Sequence, residues 1–438
     1  MSPGGSPPEH LTCGIEPLRI LLVTDFYWPY LGGVEQHVRS LAHSLVARGH
    51  DVTVATLTGK DLDDDSDDDG VRVRRLRSMS QRMPWLFSSA ERPWAPPIAD
   101  PAITWQLRKI ILENPPDIVH GHDWLARSFL PLRRWSTRKF GTRFVSSLHY
   151  YTLSCAKKNL MRTQTVDGRT VETSCTGPGV EKCLACAGRH YGRPTGIVTA
   201  TANAIGALAE RRGAAAIVAV SAAVARGNGL VPDAGSTVVI PNFLPDGAAH
   251  PTSATSDVGA LTALLPDEEF MIFVGDLRPM KGLDVLLDAY STLEPSMPLV
   301  LIGKSWPDTP TALPRRVVVH DRWPNAAVIE AFRRSSIAVV PSVWAEPFGI
   351  VVIEAMAGGS PVVASAVGGI PEIVEDGVSG LLVAPGDATA LGHALAELIG
   401  DPQRRAAMGE AARRRAEDFT AARVVDRIEQ EYRQLATS

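Results

Sequence analysis

The stretch "LRILLVTDFY" is a short apolar run that stops at aromatic and glycine residues, "GGVEQHVRSLAHSLVARGH" then carries apolar residues at helical spacing, and "DVTVATL" returns to a strand pattern. Together they form one βαβ unit. Further strand patterns follow at "VRVRRL", "DIVH", "RFVSSLH" and "AAAIVAVS" with helical segments between most of them, which predicts a parallel, doubly wound α/β sheet. Near "VVIPNFLPDGAAHPTSATS" the pattern lapses into Pro, Gly, Ser and Thr, and a domain boundary is placed there. Alternation resumes at "FMIFVGDL", "PLVLIG", "RVVVH", "IAVVPS", "PVVAS" and "GLLVA", giving a second doubly wound sheet. A chain of 438 residues exceeds one ordinary core, in line with two large domains, 18–243 and 244–417. Two such Rossmann-like domains face one another across a deep cleft, because each offers ligand sites at the carboxyl ends of its strands. The final stretch, 418–438, is expected to be a helix that crosses back to the first domain.

Charge and composition exclude some functions. A formal charge of -4 gives nucleic acid no reason to bind, and no run approaches the roughly 18 apolar residues of a membrane span. Residues 1–17 lack the apolar core of a signal peptide and read as a disordered leader on a cytoplasmic protein. The basic "RRWSTRK" reads as a solvated face, with peripheral contact to an anionic membrane or acceptor as the alternative. The aspartate run "DLDDDSDDDG" reads as a solvated loop without chemistry.

Three constellations point to an anionic, hydroxyl-bearing ligand. In "WAEPFGIVVIEAMAGG", Glu346 and Glu354 stand eight positions apart, which on a helix is about 12 Å along the axis and about 80° round it, so the two cannot converge on one bond. They can grip opposite ends of an elongated ligand. Pro347 suits a first helical turn, so Glu346 is expected to cap the helix, with the amides near Phe348 and Gly349 turned to the cleft. Glu354 could then accept two hydrogen bonds from a vicinal diol such as ribose. In "GDLRPMKGLDVLL", Arg278 and Lys281 lie beside a helix start, an arrangement opposed by the helix dipole unless an anion such as a diphosphate sits between. Gly32 and Gly33, at the first strand-to-helix turn, allow backbone amides to approach a phosphate or sugar, while the full dinucleotide fingerprint is absent. In "DIVHGHDW" the rings of His120 and His122 are expected on opposite faces, with His122 turned to the ligand and His120 in the core.

"GGVEQHVRSLAHSLVARGHDVTV", "HGHDW", "VGDLRPMKGLDVLLDAY", "EPFGIVVIEAMAGGSPVVAS" and "GGIPEIVEDGVSGLLV" resemble the retaining glycosyltransferases of family 4, across nearly the whole chain after the leader. That resemblance implies the two-domain GT-B fold and transfer of a hexose from a UDP- or GDP-sugar, with retention and no metal needed for chemistry. It implies further that Glu346 meets the donor sugar, Glu354 the ribose and Arg278 with Lys281 the diphosphate, that Gly33 approaches the diphosphate from the other domain, and that His122 sits beside the sugar. The acceptor stays open among glycolipid, polysaccharide and small natural product. A sugar phosphorylase, a nucleotide-sugar epimerase and a sensor without turnover are the rivals. "LIGKSWPD" departs from the Gly-rich turn frequent in the family.

Within an insertion at 150–195 stand Cys155, Cys175, Cys183 and Cys186. Four clustered thiols ending in Cys-x-x-Cys, in a chain with no export signal, suit a structural tetrahedral zinc; disulfides, a redox pair and unlinked thiols are the alternatives. Similar family 4 members carry cysteines after a stretch like "LHYYTLSC", near where the acceptor should enter, so the insertion is expected to position the acceptor.

Overall fold

The computed structural model describes residues 16–30, 32–82, 95–166, 169–244, 256–293 and 297–437. The leader assigned to 1–17 lies, apart from Glu16 and Pro17, outside the described residues, as does Cys13. Among the described residues sixteen strands run β1 (Arg19–Thr24), β2 (Asp51–Leu57), β3 (Asp65–Asp68), β4 (Val71–Leu76), β5 (Ile118–His122), β6 (Arg143–Leu148), β7 (Met161–Val166), β8 (Arg169–Ser174), β9 (Ala216–Ala219), β10 (Thr237–Val239), β11 (Met271–Val274), β12 (Leu299–Ile302), β13 (Val317–His320), β14 (Ile337–Val340), β15 (Val362–Ser365) and β16 (Gly380–Val383).

They form two large sheets and a hairpin. The first sheet has the order β10-β9-β6-β5-β1-β2-β4-β3, and the second β13-β12-β11-β14-β15-β16. All pairings within both are parallel except β3 on β4. Parallel strands covered on both faces need unbroken apolar runs, and "LVLI" in β12 and "IAVV" in β14 are buried at every position.

The structure adds three details to the sequence reading. The aspartate run is no free loop: Asp65–Asp68 pairs antiparallel with β4 as an edge strand. Asp68 accepts hydrogen bonds from Tyr27 Oη at 2.8 Å and from Arg39 Nε and Nη2 at 2.9 and 2.7 Å, which anchors the run to the lobe. The insertion contains the antiparallel hairpin β7–β8 and the helix Val180–Tyr191. "RRWSTRK" begins the helix Arg133–Phe140, whose last turn carries Arg138 and Lys139 where cations suit the dipole.

The last helix, Ala421–Thr437, packs on the first lobe. Its Val424, Val425, Ile428 and Tyr432 are buried in one cluster with Leu22, Val38, Leu41 and Leu45. The spacing of those four puts them on one apolar stripe. The crossing is pinned where Leu244 bonds the main chain on either side of Thr420, its N–H donating to the Phe419 carbonyl at 2.8 Å and its carbonyl accepting from the Ala421 N–H at 3.1 Å. Between the lobes, Ser221 Oγ donates to the Pro347 carbonyl at 2.6 Å. The Ala222 and Ala223 amides donate to Glu372 at 2.7 and 2.8 Å, a carboxylate at a helix N-terminus.

Candidate active site

Open parallel sheets offer ligands the crevice where strand order reverses. In the second sheet that point lies between β11 and β14; in the first it lies between β1 and β5. The loops leaving these four strands meet around a cavity of about 360 Å³, lined by Asp25, Gly32, Gly33, Asp123 and Lys158 from one lobe and by Met280 and Trp344 from the other.

Two glycines shape the second lobe's side. Gly282, next to Lys281, has φ +75°, and a Cβ there would stand 1.9 Å from the Pro341 carbonyl oxygen, so the loops after β11 and β14 touch only because it has no side chain. Gly368, φ +60°, backs onto Glu346 in the same way, with a Cβ position 1.9 Å from the Glu346 carbonyl oxygen.

On that backbone Lys281 Nζ lies 2.6 Å from Oε1 of Glu346. The same oxygen accepts from Ser342 Oγ and Trp344 Nε1, each at 2.8 Å. A buried carboxylate held by three donors is compensated in place. Arg278 is paired instead with Asp308, its Nη2 3.0 Å from Oδ2, and lies 4.8 Å over the Trp306 ring. The divergent segment "LIGKSWPD" therefore supplies both neighbours of Arg278.

The helix reading of "EPFGIVVIEAM" needs correction. The helix is Ile350–Gly358 and its cap is Gly349 at φ +106°, so Glu346 and Pro347 lie outside it. The left-handed turn at Gly349 breaks the continuity that would have put Pro347 in the first turn. Glu346 caps nothing; its carboxylate turns to Lys281. Phe348 is buried, edge-on to Phe419 with centroids 5.7 Å apart. Glu354 sits on the helix, its Oε1 accepting from Asn325 Nδ2 at 2.6 Å. Burial pushes its pKa up to about 7, against the lowering effect of that bond.

Gly33 opens the helix Gly33–Ala47, and a Cβ on it would stand 3.4 Å from Ile350 Cδ1 of the opposite lobe. Gly32 is that helix's cap in extended conformation, and a Cβ there would strike the Glu35 carboxylate.

The two histidines of "HGHDW" correct a second expectation. Residues two apart on a strand share a face. His120 and His122 do, with ring centroids 4.1 Å apart. His120 is held on both nitrogens, by Tyr432 Oη and by Ser147 Oγ at 2.7 Å. His122 is fully buried, its Nδ1 2.9 Å from His149 Nε2, and does not line the cavity. One nitrogen from each of His37, His122 and His149 lies within 4.8 Å of the others. Burial lowers the pKa of all four rings, His120 to about 3 and His149 to about 4.

The neighbouring residue reaches the cavity instead. Asp123 and Asp25 straddle Lys158, each carboxylate 3.1 Å from Nζ. Burial, reinforced by Asp123 and opposed by Lys158, lifts the Asp25 pKa to about 6. Sequence reasoning singled out none of Asp25, Asp123, Lys158, Ser342 and Trp344. Asp25 and Asp123 each directly follow a strand at the switch point, a signal that could have found them; Lys158 arrives from the insertion and had none. Cys155, Cys175, Cys183 and Cys186 are free thiols that line one small cavity beside it.

Comparison with known proteins follows this division. The "Glycosyl transferase 4-like domain" family matches residues 32–243 and the "Glycosyl transferases group 1" family residues 262–415. The D-inositol 3-phosphate glycosyltransferase of Rhodococcus erythropolis is 28% identical over 430 residues, covering 93% of this chain and 87% of that protein. The Streptomyces avermitilis protein of that name is 31% identical over 324 residues, 69% of this chain and 62% of its own length. Against that of Corynebacterium aurimucosum, 38% identical, the chain spans 36% of itself and only 42% of the relative. Sucrose-phosphate synthase from Thermosynechococcus elongatus shares the fold at 22% identity, with TM-score 0.69 over 96% of this chain and 100% of that one. Anabaena HepE, solved in complex with UDP-glucose, does so at 19% identity and TM-score 0.63, over 95% and 100%.

Proposed function

This chain belongs to the family 4 glycosyltransferases of GT-B fold, and from that premise we propose that it moves a hexose from a nucleoside diphosphate donor to an acceptor, with retention of anomeric configuration. The observation that carries the reading is the cavity shared by both switch points, with Met280 and Trp344 on its wall and the Lys281–Glu346 pair bonded to that Trp344. In a water-poor cleft, fixed cations aimed at developing charge stabilise a transition state more than they would in water. Lys281 and Arg278 take the departing diphosphate, so no divalent cation is needed for the chemistry, and Arg278 exchanges Asp308 for phosphate oxygens. Glu346, with Oε1 engaged by three donors, offers Oε2 to the sugar hydroxyls. Glu354 takes the ribose diol. The first-turn amides after Gly33 approach the diphosphate from the opposite lobe.

No nucleophile is assigned. A front-side displacement, in which the leaving phosphate takes the acceptor's proton, retains configuration without one. Asp25, Asp123 and Lys158 face the same cavity and form the acceptor's side. The relatives' name makes D-inositol 3-phosphate the first acceptor to try, and Lys158 a partner for a phosphate on it. Incubating the chain with UDP-, GDP- and ADP-sugars and candidate acceptors, and following nucleoside diphosphate release, is the test. Release that depends on one donor and one acceptor supports the reading. Release of free sugar 1-phosphate on adding inorganic phosphate would favour a phosphorylase, and no turnover with any donor would favour a sensor.

A further inference from the structure

We propose that the pair of helices Val180–Tyr191 and Arg193–Gly213 docks on the surface of an anionic lipid bilayer. The docking stands on the surface itself; only its bearing on the acceptor rests on the transfer reading. The thiols of the same insertion do not make the zinc centre expected from their spacing. Among the described residues no three of their sulfurs lie within 4.8 Å of one another, and Cys175 and Cys186 donate to the Gly177 and Met161 carbonyls.

The helix Arg193–Gly213 is amphipathic in the inverse sense. A helix lying on a protein ordinarily turns its apolar stripe inward. Here the buried positions carry Thr199, Asn203 and Glu210 with three glycines and an alanine, while Ile197, Val198, Ile205 and Leu208 are 49 to 61% exposed. At 3.6 residues per turn those four fall within one arc of about 100°. No charged residue stands between Arg193 and Glu210.

The rotation of the helix is fixed from beneath. Arg127, fully buried, donates through Nε to Glu210 Oε2 at 2.8 Å and through Nη1 to Asn203 Oδ1 at 2.9 Å. A Cβ on Gly206 would stand 2.3 Å from the Pro97 carbonyl oxygen, and one on Gly196 2.3 Å from that of Ala187. Turning the apolar side chains inward would strand the buried arginine and drive side chains into those contacts. The outward apolar face is therefore built into the packing. It continues onto the neighbouring helix, where Val180 is 80% exposed and lines, with Leu153, Leu184, Thr201 and Ala204, a groove of about 480 Å³.

Charge selects the occupant. Arg189 and Arg193 are exposed at one end of the long helix and Arg212 at the other, beside Arg211. The helix Arg133–Phe140 meets that second end, where a Cβ on Gly213 would lie 3.7 Å from Arg133 Nε, and adds Arg133 and Arg134. Across 180–213 the cations Lys182, Arg189, Arg193, Arg211 and Arg212 face two carboxylates, Glu181 and Glu210, and Glu210 is spent on Arg127. An apolar face with cations at its ends suits the headgroup boundary of an anionic membrane. A second copy of the chain fits less well. Any two-fold pairing sets this face against itself, so arginine-bearing ends meet arginine-bearing ends.

The groove also adjoins the cleft. Ser154 and Ala156 line it, and the chain runs on from them into Lys157 and Lys158 of the cavity between the lobes. Docking thus sets the acceptor side of that cavity near the lipid surface, which under the transfer reading suits an acceptor held in the surface.

The test is flotation of the full chain with vesicles of phosphatidylcholine alone or mixed with phosphatidylglycerol, without donor or acceptor, so that its outcome is independent of turnover. Binding to the mixed vesicles is expected, at least about tenfold weaker on phosphatidylcholine alone and weakened by salt. The double variant Ile205→Glu, Leu208→Glu, changed only at exposed positions, should lose at least about tenfold, and Arg193→Gln and Arg212→Gln about fivefold each. Hydrogen exchange on mixed vesicles should slow at 197–208 and stay unchanged at 271–302. Absence of binding to the mixed vesicles, equal binding by the double variant, or protection confined to other segments overturns the proposal. A dimer that the double variant dissociates, with no vesicle binding by wild type, overturns it in favour of a second copy.

Discussion

Lys281 Nζ and Glu346 Oε1 lie 2.6 Å apart, joining the loop after β11 to the loop after β14 at the point where strand order reverses. Each needs the other while no anion is present: removing one leaves a partly or fully buried charge alone. In the proposed function, a bound diphosphate gives the ammonium a second partner. Removing a fixed cation from a closed phosphate site costs about 2 to 4 kcal/mol of transition-state stabilisation, so Lys281→Ala and Arg278→Ala should each lose roughly 30- to 1000-fold in kcat/KM. Turnover near wild type in both variants would contradict the assignment.

The two glutamates should separate by ligand. Glu354→Gln should weaken binding of free nucleoside diphosphate, whereas Glu346→Gln should spare it and weaken only the nucleotide sugar or its turnover. Calorimetry with both ligands decides, and equal weakening of the bare nucleotide by both variants would refute the division.

Much of the architecture was legible because a parallel sheet buried on both faces must write itself as apolar runs, and the runs at β1, β2, β4, β5, β6, β9 and β11 to β16 are strands in the structure. The hairpin β7–β8 was not legible: "MRTQTV" and "RTVETS" are polar and lie on no large sheet. In the candidate site, Lys281 and Glu346 were found separately, yet their pairing spans 65 positions and depends on Gly282, which no local pattern shows. Glu346 was misplaced on a helix because one left-handed glycine, Gly349, is invisible to helical periodicity. His122 was aimed at the ligand by treating residues two apart as opposite-facing; the structure puts both rings on one face and gives the cavity to Asp123.

In the proposed role, Glu354 should make donor affinity depend on pH. Its folded pKa is raised to about 7 by burial, and a carboxylate is the form that accepts from a ribose diol. Binding of a nucleotide sugar, whose diphosphate does not titrate near neutrality, should therefore tighten about tenfold from pH 6 to pH 8. Glu354→Gln should abolish the dependence. A flat profile in wild type would contradict the role.

Stability should fall on mild acidification. His37, His120, His122 and His149 are buried with lowered pKa values, so the unfolded chain binds protons that the folded one does not. Their contribution is complete above the unfolded value of about 6.5 and is lost as pH falls from there toward about 3 for His120, at about 1.4 kcal/mol per unit for each ring. Glu354, between about 4.5 and 7, and Asp25, between about 3.8 and 6, act in the opposite sense, two groups against four. Urea unfolding at pH 7 and pH 5.5 should show a loss of several kcal/mol; equal stability at the two would mean that the cluster is not held neutral.

The central claim is transfer from a nucleotide sugar across the cleft without a divalent cation in the chemistry. The most direct measurement counts nucleoside diphosphate released and sugar gained by the acceptor, in magnesium-free buffer, for wild type and Lys281→Ala. The account predicts equal amounts of the two products, release that stops when the acceptor is omitted, product with the donor's anomeric configuration, and a rate at least about 30-fold lower in the variant. Release that requires magnesium, product of inverted configuration, or a Lys281→Ala protein as fast as wild type would contradict it.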